Sequence, residues 1–115
     1  MLKICSMLYD YLMTQDVLLI LQTLRLELLS DGFEILGYFG SRAREDASEQ
    51  SDLDLLYCLH DEFYSRYPGW EAIGRIEEIR AYLADLLNLN IDLANRDGLT
   101  RISKKYILGE TVYVA

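Results

Sequence analysis

Asp52 and Asp54 stand one residue apart at the head of the apolar run Leu53-Asp54-Leu55-Leu56-Tyr57-Cys58-Leu59, and this pairing restricts what the chain can be. In a strand, successive side chains alternate faces, so both carboxylates point to one side while Leu53, Leu55 and Tyr57 point to the other. Like charges a few ångströms apart raise each other's pKa and oppose folding unless something neutralises them. A divalent cation does so: magnesium takes a few hard carboxylate oxygens, keeps several waters and draws its other ligands from substrate phosphates. A capping or turn role would account for Asp52 by itself, but Asp54, set among leucines, needs a partner.

The residues ahead of this pair supply a matching half-site. Phe33 to Phe39 alternates imperfectly and reads as a strand that runs into Gly40-Ser41. Gly40 lets a backbone approach a phosphate closely, and Ser41 offers a hydroxyl and an N–H at the start of a short helical turn over Ser41 to Asp46. Arg42 and Arg44 are the cations near the acidic pair. Arg44 is assigned to phosphate contact, since an acidic pocket must still attract a polyanion; for Arg42, phosphate contact and plain surface charge stay equally open.

Gly40-Ser41, nine residues, then Ser51-Asp52-Leu53-Asp54 resembles the signature of the nucleotidyltransferase superfamily that includes DNA polymerase beta. More narrowly the chain, from about Phe33 to its end, is similar to the minimal nucleotidyltransferases, small domains that often act as antitoxins beside HEPN-type ribonuclease toxins. The resemblance implies an α+β fold in which a small mixed β-sheet packs against helices. It implies Asp52, Asp54 and Asp92 as catalytic and metal-binding residues, Gly40, Ser41 and Arg44 as nucleotide-binding residues, two Mg2+ ions and ATP as substrate. Family members carry glycine where this chain has Glu45, a departure that bears on the loop's conformation and adds negative charge near the phosphates.

At 115 residues the chain is expected to form one domain, 1–115, with 1–13 as an extra arm or helix. Half of its residues are hydrophobic, which excludes a disordered chain, and a net charge of -8 has the wrong sign for holding a nucleic-acid backbone. Cys5 and Cys58 lie far apart without metal-ligand spacing and read as reduced, buried thiols of a cytoplasmic protein. No signal peptide is expected, and the apolar stretch Val17 to Leu29 is too short to span a bilayer.

That stretch reads as a helix capped by Thr14, with Val17, Leu21, Leu24 and Leu28 as its inner stripe and Asp31-Gly32 as its end. Leu18, Leu19, Ile20, Leu26 and Leu29 widen the apolar face, either for a partner or for cover by the sheet and the N-terminal arm. Ser51 to Leu59 is expected as a strand, and residues 60–69 as a polar loop with His60 at the surface. Trp70 to Leu87 reads as a helix with Ile73, Ile76, Ile79, Leu83 and Leu86 at helical spacing and a Glu71–Arg75 pair. Leu89 to Ala94 is a third strand carrying Asp92. The last helix is expected from Asp97-Gly98 to Gly109, with Leu99, Ile102 and Tyr106 inward and Arg101, Lys104 and Lys105 outward, before a short strand from Thr111 to Val114.

By resemblance, Asp92 would serve as metal ligand and general base, and the acceptor would be a protein hydroxyl, in particular a tyrosine of a HEPN-type toxin encoded nearby. A hetero-oligomer is expected, without direct nucleic-acid binding and without a membrane. Two other functions fit the same residues: an antitoxin that occludes its toxin without catalysis, and the catalytic subunit of a two-chain small-molecule nucleotidyltransferase.

Overall fold

The computed structural model describes residues 18–48 and 50–114. The N-terminal arm, Cys5 and the Thr14 cap lie outside the described residues. Helix α1 (18–29) buries Leu21, Leu24 and Leu28, one stripe at helical spacing, while Leu19 and Leu26 are more than 60% exposed. Of the residues that widen the apolar face, Ile20 and Leu29 are partly buried, Ile20 against the core, while Leu18, Leu19 and Leu26 are exposed. Gly32, at φ 85°, turns the chain out of the helix in the left-handed conformation that glycine adopts without a Cβ penalty.

Four strands follow: β1 (Phe33–Phe39), β2 (Leu53–Leu59), β3 (Ile91–Asn95) and β4 (Val112–Tyr113). Their order is β3-β2-β1-β4. β1 runs antiparallel to β2 and β4, and β2 runs parallel to β3. A parallel pair needs a long crossover, and α3 (Trp70–Leu87) provides it. Alternation along β1 and β2 sends Phe33, Ile35, Leu53, Leu55 and Tyr57 into a core shared with Leu21, Leu24 and Leu28 of α1 and Ile79, Leu83 and Leu87 of α3. The opposite face is left for Asp54 and Asp92.

Several local expectations are corrected. The second strand starts at Leu53 rather than Ser51, so Asp52 is an exposed residue at the mouth of the strand. Residues 61–66 are helical: α2 (Asp61–Arg66) carries two acids in its first turn, and its fully buried Phe63 packs between Phe33 and Tyr67. One buried aromatic, worth roughly 1.5–3 kcal/mol, anchors a helix too short for periodicity to reveal. In α3 the inner face is Ala72, Ile79, Leu83 and Leu87, with Ile76 partly buried; Ile73 and Leu86 lie outside it. Arg75 bonds Asp31 and Glu78 instead of Glu71. Asn88, left-handed at φ 52°, closes the helix.

At the C-terminal end, residues 96–98 form a separate 3-10 turn, and α4 (Arg101–Glu110) begins after Thr100, whose hydroxyl accepts from the Ser103 N–H. Gly109 lies inside α4, which ends at Glu110. Ile102 and Tyr106 face outward at 73% and 69% exposure, and α4 buries no residue fully. Arg101, Lys104 and Lys105 are exposed as expected. Among the described residues no helix is long and apolar enough to cross a membrane.

Candidate active site

Register brings the acidic residues together. Asp54 of β2 is the partner of Phe39 across the antiparallel pair and of Asp92 across the parallel one. Neighbouring strands are about 4.8 Å apart, and paired residues of a ladder point to the same face, so Asp54 and Asp92 stand side by side. Phe39 is followed directly by Gly40, which places the start of the 40–52 loop on the other flank of Asp54.

Gly40 is required there twice over. Its φ is 76°, and a Cβ built on it would lie 2.0 Å from Asp54 Oδ2. The backbone thus runs in contact with the carboxylate, a closeness that no side chain permits. Gly40–Arg42 form one 3-10 turn, shorter than the helical turn expected over Ser41 to Asp46, and the Asp46 N–H donates to the Ser41 carbonyl to continue the bend. Glu45 adopts the left-handed conformation, φ 62°, at the position where glycine was expected. The loop keeps the path that a glycine would allow, at a cost of roughly 1 kcal/mol for a residue with a Cβ.

The two arginines divide their duties. Arg42 donates to the Ser51 carbonyl at 2.9 Å and to the Ser48 carbonyl at 3.5 Å, and its buried Nε has no partner. It staples the far end of the loop just ahead of Asp52. Arg44 is half exposed and reaches Asp46 at 3.3 Å and Glu110 at 3.2 Å.

Glu110, the last residue of α4, was not singled out from sequence. Its Oε1 accepts the Gly40 N–H at 2.9 Å, and the same carboxylate pairs with Arg44. The sequence held one signal: a carboxylate at a helix C-terminus opposes the macrodipole and calls for a partner elsewhere.

Burial, followed by the charges of Asp92, Asp52 and Glu110, pushes the Asp54 carboxyl above the usual carboxylate range, and the Arg44 charge opposes them most weakly. Among the described residues no hydrogen bond relieves Asp54. The donor set of Asp52, Asp54 and Asp92 consists of hard oxygens with surplus negative charge, which fits magnesium. Among the described residues, the group of three potential ligands drawn within 4.8 Å of one another is a different one, Glu34, Cys58 and His60. There the Glu34 carboxylate already holds Arg25 at 2.9 Å and His60 at 2.8 Å. His60 is exposed as expected, yet tied to the sheet by this pair. Cys58 is buried, and burial pushes its thiol pKa up, in keeping with an inert structural cysteine.

A recess of about 1070 Å³ lies between Gln50, Ser51 and the C-terminal half of α3, and it includes none of the three aspartates. At the acidic end of the sheet Asp52 and Asp92 are exposed and Asp54 is half-buried.

With this geometry in place, comparison with known proteins assigns the fold. The profile of the family described as "Nucleotidyltransferase domain" matches residues 27–114. The chain belongs to the nucleotidyltransferase domain family. Among its relatives, protein adenylyltransferase MntA of Thermococcus cleftensis is 32% identical over 83 residues, covering 72% of this chain and 76% of the relative. A Methanocaldococcus jannaschii protein provisionally named a protein adenylyltransferase is 34% identical over 80 residues, covering 69% of this chain and 74% of the relative. A solved structure provisionally described as a minimal nucleotidyltransferase superposes with a TM-score of 0.59 at 27% identity, over 83% of this chain and 93% of that one. The expected mixed sheet with packed helices is thus the observed fold, and the chain is a transferase of this family.

Proposed function

We propose that this nucleotidyltransferase moves AMP from ATP to a hydroxyl of a protein, in particular a tyrosine of a HEPN-type ribonuclease toxin, and so acts as its antitoxin. The observation that carries the chemistry is Asp54, held between Gly40 and Asp92 without a hydrogen-bonding partner among the described residues and pushed up in pKa by burial and neighbouring carboxylates. A site built at this cost to stability is one that binds a cation. The relatives named as protein adenylyltransferases supply the acceptor class.

In this reading Asp52, Asp54 and Asp92 would hold magnesium, which when bound supplies positive charge against the phosphate chain and the departing pyrophosphate. Gly40, Ser41 and Arg44 would orient the triphosphate through a backbone N–H, a hydroxyl and a guanidinium. Asp92 would take the proton of the acceptor hydroxyl as its oxygen bonds to the α-phosphorus in line with the leaving group. The bond from the α-phosphorus to the bridging oxygen breaks, and that oxygen leaves with pyrophosphate. No covalent enzyme intermediate is needed; positioning and electrostatics suffice. A single 1–115 domain, in the cytoplasm and paired with its toxin, completes the proposal.

The test is transfer from α-labelled ATP with Mg2+ to the protein encoded beside this gene, with the Asp52→Asn, Asp54→Asn double variant as control. Label on the neighbour that disappears with the double variant is the expected result. A stable complex that neutralises the toxin equally well with the double variant, and without label, would instead mean occlusion. Transfer to a small acceptor in the absence of any protein target would point to the two-chain small-molecule enzyme.

A further inference from the structure

We infer that Glu110 is an internal stand-in for a nucleotide phosphate: its carboxylate occupies the anion-binding groups of the 40–44 loop and must leave them before a triphosphate can bind. This rests on the reading of Gly40 and Arg44 as phosphate contacts.

The geometry is that of an anion in its seat. Oε1 takes the Gly40 N–H at 2.9 Å, and the carboxylate takes the Arg44 guanidinium at 3.2 and 3.4 Å. One backbone N–H from a positive-φ glycine together with one guanidinium is the kind of donor set that recognises phosphate oxygens. Glu110 reaches them from 66 and 70 residues away in sequence, so the contact is tertiary and can be exchanged without unravelling the loop.

Glu110 has no local reason to sit where it does. It is the final residue of α4, where the helix presents its negative end, and the last turn holds no cation to offset it. It also adds a further carboxylate beside Asp54, Asp92 and Asp52. Both neighbours oppose it, while Gly40 and Arg44 hold it in place. Its side chain is about one-third exposed and Arg44 one-half, so an incoming polyanion can reach both partners. The consequence is that Glu110 lowers nucleotide affinity and keeps Gly40 and Arg44 oriented until nucleotide arrives. Binding then frees the α4–β4 junction, where Val112 and Tyr113 pair with β1.

The test uses the full chain with Mg2+ and the non-hydrolysable α,β-methylene analogue of ATP, titrated calorimetrically into the wild type, Glu110→Gln and Glu110→Ala. Glu110→Ala, which removes both contacts, is expected to bind the analogue about fivefold tighter, and Glu110→Gln, which keeps an acceptor for Gly40, about twofold tighter. In the wild type, the Gly40 amide resonance, assigned by 15N NMR, should move on saturation as its acceptor changes. Equal or weaker binding by both variants would overturn the inference, as would a Gly40 amide indifferent to saturating analogue. The NMR arm needs no substitution and stands even if a variant fails to fold. Absence of binding by the wild type would overturn the phosphate-site reading itself, and this inference with it.

Discussion

Asp31 and Asp54 are both carboxylates withdrawn from water, and the chain treats them in opposite ways. Asp31, 8% exposed, receives Arg75 at 2.9 Å, Tyr67 at 2.8 Å and Arg66 at 3.2 Å. Burial pushes its pKa up, but the hydrogen bonds from Tyr67, Arg75 and Arg66 outweigh burial and hold it below the usual range. Asp54 has burial and three carboxylates acting in the same direction, with no hydrogen bond among the described residues to answer them. The first aspartate is invested in folding, since it ties the end of α1 to α2 and α3. The second receives no such bond among the described residues and faces other carboxylates instead. Under the proposed function, this difference separates an acid used for folding from one reserved for a ligand.

The widest divergence between the two should appear in activity. Asp54→Asn is expected to lower nucleotide transfer about a thousandfold or more, the scale of losing a group that stabilises charge in the transition state, whereas Asp31→Asn should leave the transfer rate per folded molecule within about threefold of wild type. Steady-state rates normalised to the folded fraction decide this. If Asp31→Asn proved as inactive as Asp54→Asn, the contrast would collapse.

Stability should reverse the ranking. Asp31→Asn removes the charge and one of the two acceptor oxygens that Arg75, Arg66 and Tyr67 share and is expected to cost roughly 2 kcal/mol in urea unfolding. Asp54→Asn removes a repelled charge and should raise the stability of the metal-free protein by about 0.5 kcal/mol. The sign of that change, and its disappearance in saturating Mg2+, sharpens the comparison.

Acid should dissect the two regions in the same way. The folded-state pKa of Asp31 is depressed, so its contribution to stability is fully present above its unfolded value of 3.8 and is lost as pH falls through the lower folded value. Glu34 behaves alike about 4.5: burial raises it, and the bonds from His60 and Arg25 more than reverse this. Asp54 has the opposite sign, because its raised folded value means that repulsion, present at higher pH, is relieved as pH falls through it. Metal-free wild type should therefore lose stability steeply below about pH 4, and Asp31→Asn should show a shallower decline. An unchanged acid limb in Asp31→Asn would remove Asp31 from the account.

The smallest expected effect concerns the loop that joins Gly40 to Asp52. Glu45→Gly should stabilise the protein by about 0.3 kcal/mol, the left-handed strain less the extra freedom that glycine gives the unfolded chain. A loss of stability on thermal unfolding would mean that Glu45 is held by something other than backbone geometry.

Much of the frame was legible because its signals are local. β1 over Phe33–Phe39 and α3 over Trp70–Leu87 match their expected bounds, since alternation, helical spacing and the turn residues around them act within a few residues. The Gly40-Ser41 and Asp52-x-Asp54 spacing indicated the family for the same reason. What could not be read locally was decided by contacts far apart in sequence. Phe63 makes a helix of an expected loop by packing on Phe33, and Arg75 passes over Glu71 four residues away to reach Asp31, 44 residues away.

Sequence by itself determined which residues carry negative charge at the head of β2 and on β3, where the chain turns, and that a glycine precedes the acids. Tertiary structure alone decided that Asp54 and Asp92 are ladder partners, that Gly40 lies against Asp54 Oδ2, and that Glu110 closes over Gly40 and Arg44. The physical reason is range: propensity and hydrophobic period act over a turn or a strand, whereas register and the meeting of charges are set only when β1, β2, β3 and the end of α4 pack together.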